Sequence, residues 1–359
     1  MLLFFKGAKL AIFECNTNQK MSIFVPMTIR DNCSLAGRNT FGMDIRADHL
    51  FEWSSTDELK SLLADIERPV LMIGGGSNLL FMGDFKGTVL HSSINTIDII
   101  GETHDKVHVK VGSGVIWDDF VAWCAIHAFW GVENLSAIPG EVGASAVQNI
   151  GAYGVEAKDV IDTVQTVSLI DGSERDFSAA ECRYAYRQSI FKNELKGRYA
   201  VTYVIFNLSK KPQPNLGYGA LEQEVTRLGG ASLANIRQAV ISIRSSKLPD
   251  PKVLGNAGSF FMNPIIPAAQ FQALKSEWPE IPSYPASDGM IKVPAGWLIE
   301  KAGWKGRSLG PAAVYDKQAL VLVNTGGATG ADIKRLADTI IKDVKQKFGI
   351  TLLTEVNYI

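Results

Sequence analysis

Four apolar residues, Val70 to Ile73, run straight into Gly74-Gly75-Gly76-Ser77-Asn78, and no other junction in the chain narrows its fold as much. An apolar run of this length bounded by turn residues reads as a buried strand. Three glycines after it remove side chains from the turn, so backbone N–H groups can converge into a nest for phosphate oxygens. It is not a Rossmann fingerprint, because Leu79 stands where the third glycine belongs. Nor is it a P-loop, because no Gly-Lys-Ser/Thr follows at the required distance. Taken alone, such a segment is more often just a turn.

A second segment changes the balance. Residues 138–154 read Ile-Pro-Gly-Glu-Val-Gly-Ala-Ser-Ala-Val-Gln-Asn-Ile-Gly-Ala-Tyr-Gly. They predict a long loop, from Ser136 to Gly154, that is rich in small residues and nearly uncharged. Small residues admit a flat ligand close to the backbone, and Gln148 and Asn149 offer donors and acceptors. Tight packing of loop against sheet is the alternative. Two such segments in one chain favour a large dinucleotide cofactor.

The remaining pattern mixes helix and strand. Around the glycines, a helix over Thr56–Glu67 and strands at Val70–Ile73 and Thr88–His91 make an α/β unit. Val107–Val111 alternates as a strand, Trp117–Ala128 is amphipathic, and Thr163–Leu169 with Glu174–Phe177 reads as a hairpin across Asp171-Gly172-Ser173. Tyr199–Asn207 is a further strand. Helices are expected at Ala220–Leu228, Leu233–Arg244, Pro267–Trp278, Pro294–Ala302 and Gly330–Phe348, a strand at Ala319–Asn324, and a strand-like end from Thr351 to Ile359. Leu248-Pro249-Asp250-Pro251 reads as a boundary, because each proline excludes helix from the residue before it. The 359 residues suffice for two or three domains.

Composition excludes several classes. With 36 basic and 37 acidic residues, a formal charge of −1 and no run of either sign, there is no electrostatic case for nucleic acid or a membrane surface. Cys15, Cys33, Cys124 and Cys182 form no CxxC pair and read as reduced packing residues, and the five histidines supply no metal-ligand spacing. No metal site is expected. The N-terminus is interrupted by Lys6, Lys9 and Glu14 and fits a signal peptide poorly, while Met21 offers an alternative start that leaves residues 1–20 dispensable. A cytosolic protein is the expectation.

Gly-Gly-Gly-Ser-Asn-Leu-Leu at 74–80, Ile-Pro-Gly at 138–140 and Gln-Asn-Ile-Gly-Ala-Tyr-Gly at 148–154 resemble the FAD-binding segments of the UDP-N-acetylmuramate dehydrogenase family. Three further segments match in the same order: Tyr184–Lys192, Gly255–Pro264 and Leu352–Ile359. The resemblance runs from about Ser34 to Ile359, and Met262 stands where a basic residue is common.

It implies an α+β fold: a two-part FAD-binding domain of the vanillyl-alcohol-oxidase (PCMH) type, followed by a C-terminal α+β substrate-binding domain. The expected divisions are 1–33 as extension and lead-in, 34–93 and 94–247 as the two FAD-binding parts, 248–349 for substrate, and 350–359 as a strand returning to the active site. Noncovalent FAD is implied to contact Gly74, Gly75, Gly76, Ser77, Asn78, Ile138, Pro139, Gly140, Gly143, Ala144, Gln148, Asn149, Ile150 and Gly151; these loops carry no His or Cys for a covalent tether.

Arg187, Ser259 and Glu355 are the implied catalytic trio. In isolation, Arg187 reads as a structural ion-pair partner, Ser259 as an ordinary strand entry and Glu355 as a strand carboxylate, either solvent-facing or held in a buried site. In the family, NADPH reduces the flavin, whose N5 passes hydride to C3 of the enolpyruvyl ether of UDP-N-acetylenolpyruvoylglucosamine. A guanidinium fork suits the substrate carboxylate, a carboxyl shares a proton at the same centre, and a hydroxyl hands a proton to C2. Tyr218, between two glycines, matches the tyrosine of a lid loop found in one subclass. Lys247, Asn263 and Gln318 match substrate-side positions. The expected protein is a monomeric reductase of cell-wall precursor synthesis. A flavin oxidase acting on an alcohol and a catalytically silent UDP-sugar-binding protein stay as alternatives; a serine hydrolase is disfavoured, since no GxSxG surrounds Ser259.

Overall fold

The computed structural model describes residues 28–359, so the expectations for residues 1–20 lie outside the described residues. Two sheets lie in the half that carries both glycine-rich segments. The first runs in the order Thr28–Ser34, Arg46–Trp53, Phe85–Ser92, Val70–Ile73. Its last three strands are parallel, and the helix Thr56–Leu62 lies in the connection between Arg46–Trp53 and Val70–Ile73. Thr28–Ser34, expected to be lead-in, is the antiparallel edge strand of this sheet. Val70–Ile73 is the other edge, which is why only Ile73 of that run is fully buried.

The second sheet is antiparallel throughout, in the order Glu174–Ser178, Ile161–Ser168, Tyr199–Ser209, Lys106–Gly112, Ile97–Glu102. Alternation explains it: Val107, Val109 and Val111 face inward with no exposure, while Lys106, His108 and Lys110 face outward. The helix Trp117–Ile126 adds Trp117, Phe120 and Val121 to the same core.

A third sheet, Gly255–Ser259, Val321–Asn324, Ala312–Val314, Ser308–Leu309, belongs to the C-terminal part. The helix Gly330–Phe348 packs on it through Ile333, Leu336, Ala337, Ile340 and Val344, a 3.6-residue stripe. Thr329 and Asp332 cap its start reciprocally, and Gly349, in the left-handed region, ends it.

Three expectations need correction. The helix from Thr56 stops at Leu62 rather than Glu67, well short of Pro69, which keeps Arg68 out of helical geometry. The segment 136–154 is not one loop: Val142–Gln148 is helical, and Gly151–Ala152 pairs with Val155–Glu156. Small residues there serve close packing, since a methyl on Gly143 would meet Ser113 Cβ at 2.7 Å. The C-terminal end is not a continuous strand either. It bridges Phe261 at Thr354, bends at Glu355, and pairs in parallel with Leu79–Leu80 only over Asn357–Tyr358.

Candidate active site

That bend sets up the site. Pairing of Asn357–Tyr358 beside Leu79–Leu80 brings the C-terminus against the end of the first glycine loop, and Glu355 N–H donates to the carbonyl of Phe260, next to Ser259, at 2.9 Å. Asn78 donates from Nδ2 to the Glu355 carbonyl at 3.3 Å, and Gln148 donates from Nε2 to the Glu355 carboxylate at 3.3 Å. Arg187 Nε lies 2.8 Å from the same carboxylate oxygen, with side chains 17% and 13% exposed. The Nε–H is not aimed at that oxygen, so this is an ion pair without a directed hydrogen bond.

Arg187 is held on its other side. Its Nη2 donates to the Gly151 carbonyl at 2.8 Å and its Nη1 to the Asn149 carbonyl at 3.4 Å. Its own backbone sits at φ 58°, uncommon for a residue with a Cβ. Lys192 Nζ donates to the Arg187 carbonyl at 3.0 Å and so closes that turn. Burial lowers the Lys192 ammonium below its ordinary pKa, against the pull of Glu355. Burial also raises the Tyr186 phenol, whose ring lies 5.4 Å from the Arg187 guanidinium. Lys192 and Tyr186 lie inside the segment quoted from the sequence, yet nothing local assigned them a role; only folding shows what they face.

Ser259 ends the strand Gly255–Ser259 opposite Val321, and its hydroxyl makes no hydrogen bond to the protein among the described residues. Asn263 Oδ1 accepts from the Ala295 amide at 2.9 Å, and the residue lies beside Tyr186. Tyr218 stacks on Tyr284 at 5.9 Å and 18°, with Tyr153 edge-on at 6.2 Å. Lys247 is exposed at the end of the helix Leu233–Lys247. Gln318 is the weakest of the expected contacts: its Oε1 accepts from the Leu320 amide and packs where a methyl on Gly296 would lie. No hydrogen bond or ion pair joins Tyr218, Lys247, Asn263 or Gln318 to Arg187 or Glu355 among the described residues.

The two glycine segments meet. Ser77 Oγ donates to the Pro139 carbonyl at 3.1 Å, and methyls on Gly75 and Gly74 would touch Gly140 Cα at 3.4 Å and Ala144 Cβ at 3.3 Å. Gly76 lies at φ 65°, where a methyl would sit 1.9 Å from the Arg38 carbonyl oxygen. The amides of Gly75, Gly76, Ser77 and Asn78 find no protein acceptor among the described residues. Four adjacent unspent donors fit an anionic diphosphate, which is the chemistry FAD would bring. Ile138 and Ile150, both partly buried, pack against the second sheet's core. Among the described residues no cluster of His, Cys, Asp and Glu could hold a metal ion, and no helix is long and apolar enough to cross a membrane.

Known proteins are similar to this chain in sequence and fold. Residues 47–177 match the FAD binding domain model, and residues 250–359 match the model for the C-terminal domain of UDP-N-acetylenolpyruvoylglucosamine reductase. The UDP-N-acetylenolpyruvoylglucosamine reductase of Bacteroides fragilis strain YCH46 is 53% identical over 328 residues, covering 91% of this chain and 98% of that protein. The chain belongs to the UDP-N-acetylenolpyruvoylglucosamine reductase family. Membership makes it a flavin-dependent oxidoreductase of peptidoglycan precursor synthesis, with FAD as cofactor and NADPH as reductant. The fold agrees: the family's structure from Thermus caldophilus superposes with a TM-score of 0.66 at 23% identity, over 92% of this chain and 99% of that one. A 6-hydroxy-D-nicotine oxidase from Arthrobacter nicotinovorans superposes with a TM-score of 0.50 at 17% identity, over 93% and 88% of the two chains.

Proposed function

We propose that Arg187, Ser259 and Glu355 together assist reduction of the enolpyruvyl group of UDP-N-acetylenolpyruvoylglucosamine, by holding charge and supplying a proton, and that Gly75–Asn78 cradle the diphosphate of FAD. One observation carries the reading: Glu355 is met at once by Asn78, Gln148, Arg187 and the carbonyl next to Ser259, so five distant segments share one point. Bound FAD supplies the hydride it has received from NADPH.

The chain's own residues do the rest. Arg187, anchored on two backbone carbonyls, keeps a fixed positive charge where the substrate carboxylate gathers electron density. Fixing that charge in advance costs no reorganisation during the reaction. Glu355 orients the guanidinium and offers a second carboxyl for a shared proton. The free hydroxyl of Ser259 hands a proton to C2. Tyr218 on Tyr284 closes the mouth over the UDP moiety, with Lys247, Asn263 and Gln318 on the substrate side. Substrate and NADPH use the same flavin face in turn, so parallel double-reciprocal plots are expected.

We read the protein as a cytoplasmic monomer with neither nucleic acid nor membrane as partner, a reading supported by its balanced charge. We also divide the work by segment, with 34–93 and 94–247 holding cofactor and 248–349 holding substrate. The core running from Val107 to Leu208 lies wholly within 94–247, and most of another core lies within 257–356, which supports that division.

Ser259→Ala is the deciding experiment. Flavin reduction by NADPH should persist near the wild-type rate, while reoxidation by the enolpyruvyl substrate falls by about 10²–10⁴. If both steps stay fast, Ser259 is not the proton donor.

A further inference from the structure

A carboxylate sits where the cofactor reading least wants one. Glu141 lies in the second glycine segment with its side chain 12% exposed, and its Oε2 is 3.1 Å from where a methyl on Gly74 would be. It therefore borders the row of unspent amides that begins at Gly75. A negative charge beside that row repels a diphosphate, and little water reaches the spot to screen it.

His91 answers it. Its Nε2 is 2.9 Å from Glu141 Oε1 and its Nδ1 is 3.3 Å from Glu52 Oε1. With both carboxyls ionised, and so able only to accept, both contacts are hydrogen bonds only if both ring nitrogens carry protons, that is, in the imidazolium form. Glu52 has other cations, Arg38 and, at 3.2 Å, Arg30. Glu141 does not: among the described residues His91 is the only basic side chain within 4.0 Å of it. The row Arg38–Glu52–His91–Glu141 thus alternates basic and acidic side chains from the first sheet to the edge of the amide cradle.

We propose that His91 is a positioning residue for the cofactor: it cancels the charge of Glu141 and so lets the Gly75–Asn78 loop accept the FAD diphosphate. The inference rests on the cradle reading given above. It differs from a purely mechanical clasp between sheet and loop, because charge cancellation can be restored by removing the carboxylate and a clasp cannot.

Titration of the apoprotein with FAD, followed by quenching of flavin fluorescence at low ionic strength, separates the two. His91→Gln should raise the Kd for FAD by roughly tenfold or more, the scale of one uncompensated charge near a dianion. Added salt should shrink that loss. His91→Gln with Glu141→Gln should return to within about threefold of the wild type. A His91→Gln protein that binds like the wild type overturns the proposal, and so does a double variant as weak as His91→Gln. Where His91→Gln apoprotein fails to fold by circular dichroism, Glu141→Gln decides: it must bind FAD at least as tightly as the wild type, and a tenfold weaker Kd overturns the idea. The cradle fails separately, as a wild type that binds FAD no more tightly than riboflavin.

Discussion

Replacing Arg187 by lysine keeps the charge and discards the fork. The guanidinium spans the Gly151 carbonyl at 2.8 Å, the Asn149 carbonyl at 3.4 Å and Glu355 at 2.8 Å. An ammonium, one nitrogen on a flexible stem, cannot bridge all three. One charge-assisted hydrogen bond of about 1.5–3 kcal/mol is lost, and a buried carbonyl is left unpaired. Most of the Coulombic attraction survives. A loss of about 3 kcal/mol in the transition state corresponds to roughly 10² in rate. Stopped-flow absorbance of the flavin reads the two half-reactions apart. Reoxidation by the enolpyruvyl substrate should slow by about 10², whereas reduction by NADPH should change by less than about tenfold, because the role proposed for the fork is toward the substrate carboxylate. Equal slowing of both half-reactions, or reoxidation within about threefold of wild type, would refute a substrate-directed role for the fork.

Two other variants test the surroundings. Tyr218→Ala and Tyr284→Ala each remove one side of a stacked pair worth about 0.5–1.5 kcal/mol. Steady-state kinetics should show KM for the UDP substrate rising several-fold with kcat little changed, and a fall in kcat alone would count against a lid. Asp118→Asn tests the root of the second glycine segment, where the carboxylate accepts from the Ala137 amide at 2.6 Å and pairs with Arg237 at 2.6 and 2.8 Å. Burial pushes the Asp118 carboxyl up, but Arg237 and the Ala137 amide outweigh it and hold it below the ordinary 3.8. Its contribution is therefore present above about pH 4 and lost as pH falls through the lowered folded value. Denaturant unfolding should find Asp118→Asn less stable by about 1–2 kcal/mol at pH 7, with the gap closing in acid. A gap that widened in acid would reverse the assigned sign.

Much of the site was legible because its motifs are local. The glycines at 74–76 and the Tyr184–Lys192 segment each lie in a few consecutive residues, so a family resemblance can point to them, although in isolation neither fixes a role. Local pattern misled where tertiary contact chose the conformation. Val142–Gln148 looked like loop because Gly143 and Ser145 disfavour a helix interior, yet its small residues let a helix press against Ser113. Glu355 looked like one residue of a regular strand, and the strand is interrupted there to turn the carboxylate toward Arg187. Nothing in the residues around position 91 or position 141 announces that His91 and Glu141 touch, since 50 residues separate them.

Residue order by itself indicated the strands near Val70–Ile73, Val107–Val111 and Tyr199–Asn207 and the final helix Gly330–Phe348, because apolar residues recur there with the period of a buried strand or helix face. The resemblance, and not periodicity, indicated which side chains the proposed chemistry would use. Only the tertiary structure decided which of them meet. Convergence on Glu355 requires sheet pairing across the whole chain, from Asn78 to Asn357. Such non-local pairing is selected by the packing of complete cores, and no short window of sequence contains that information.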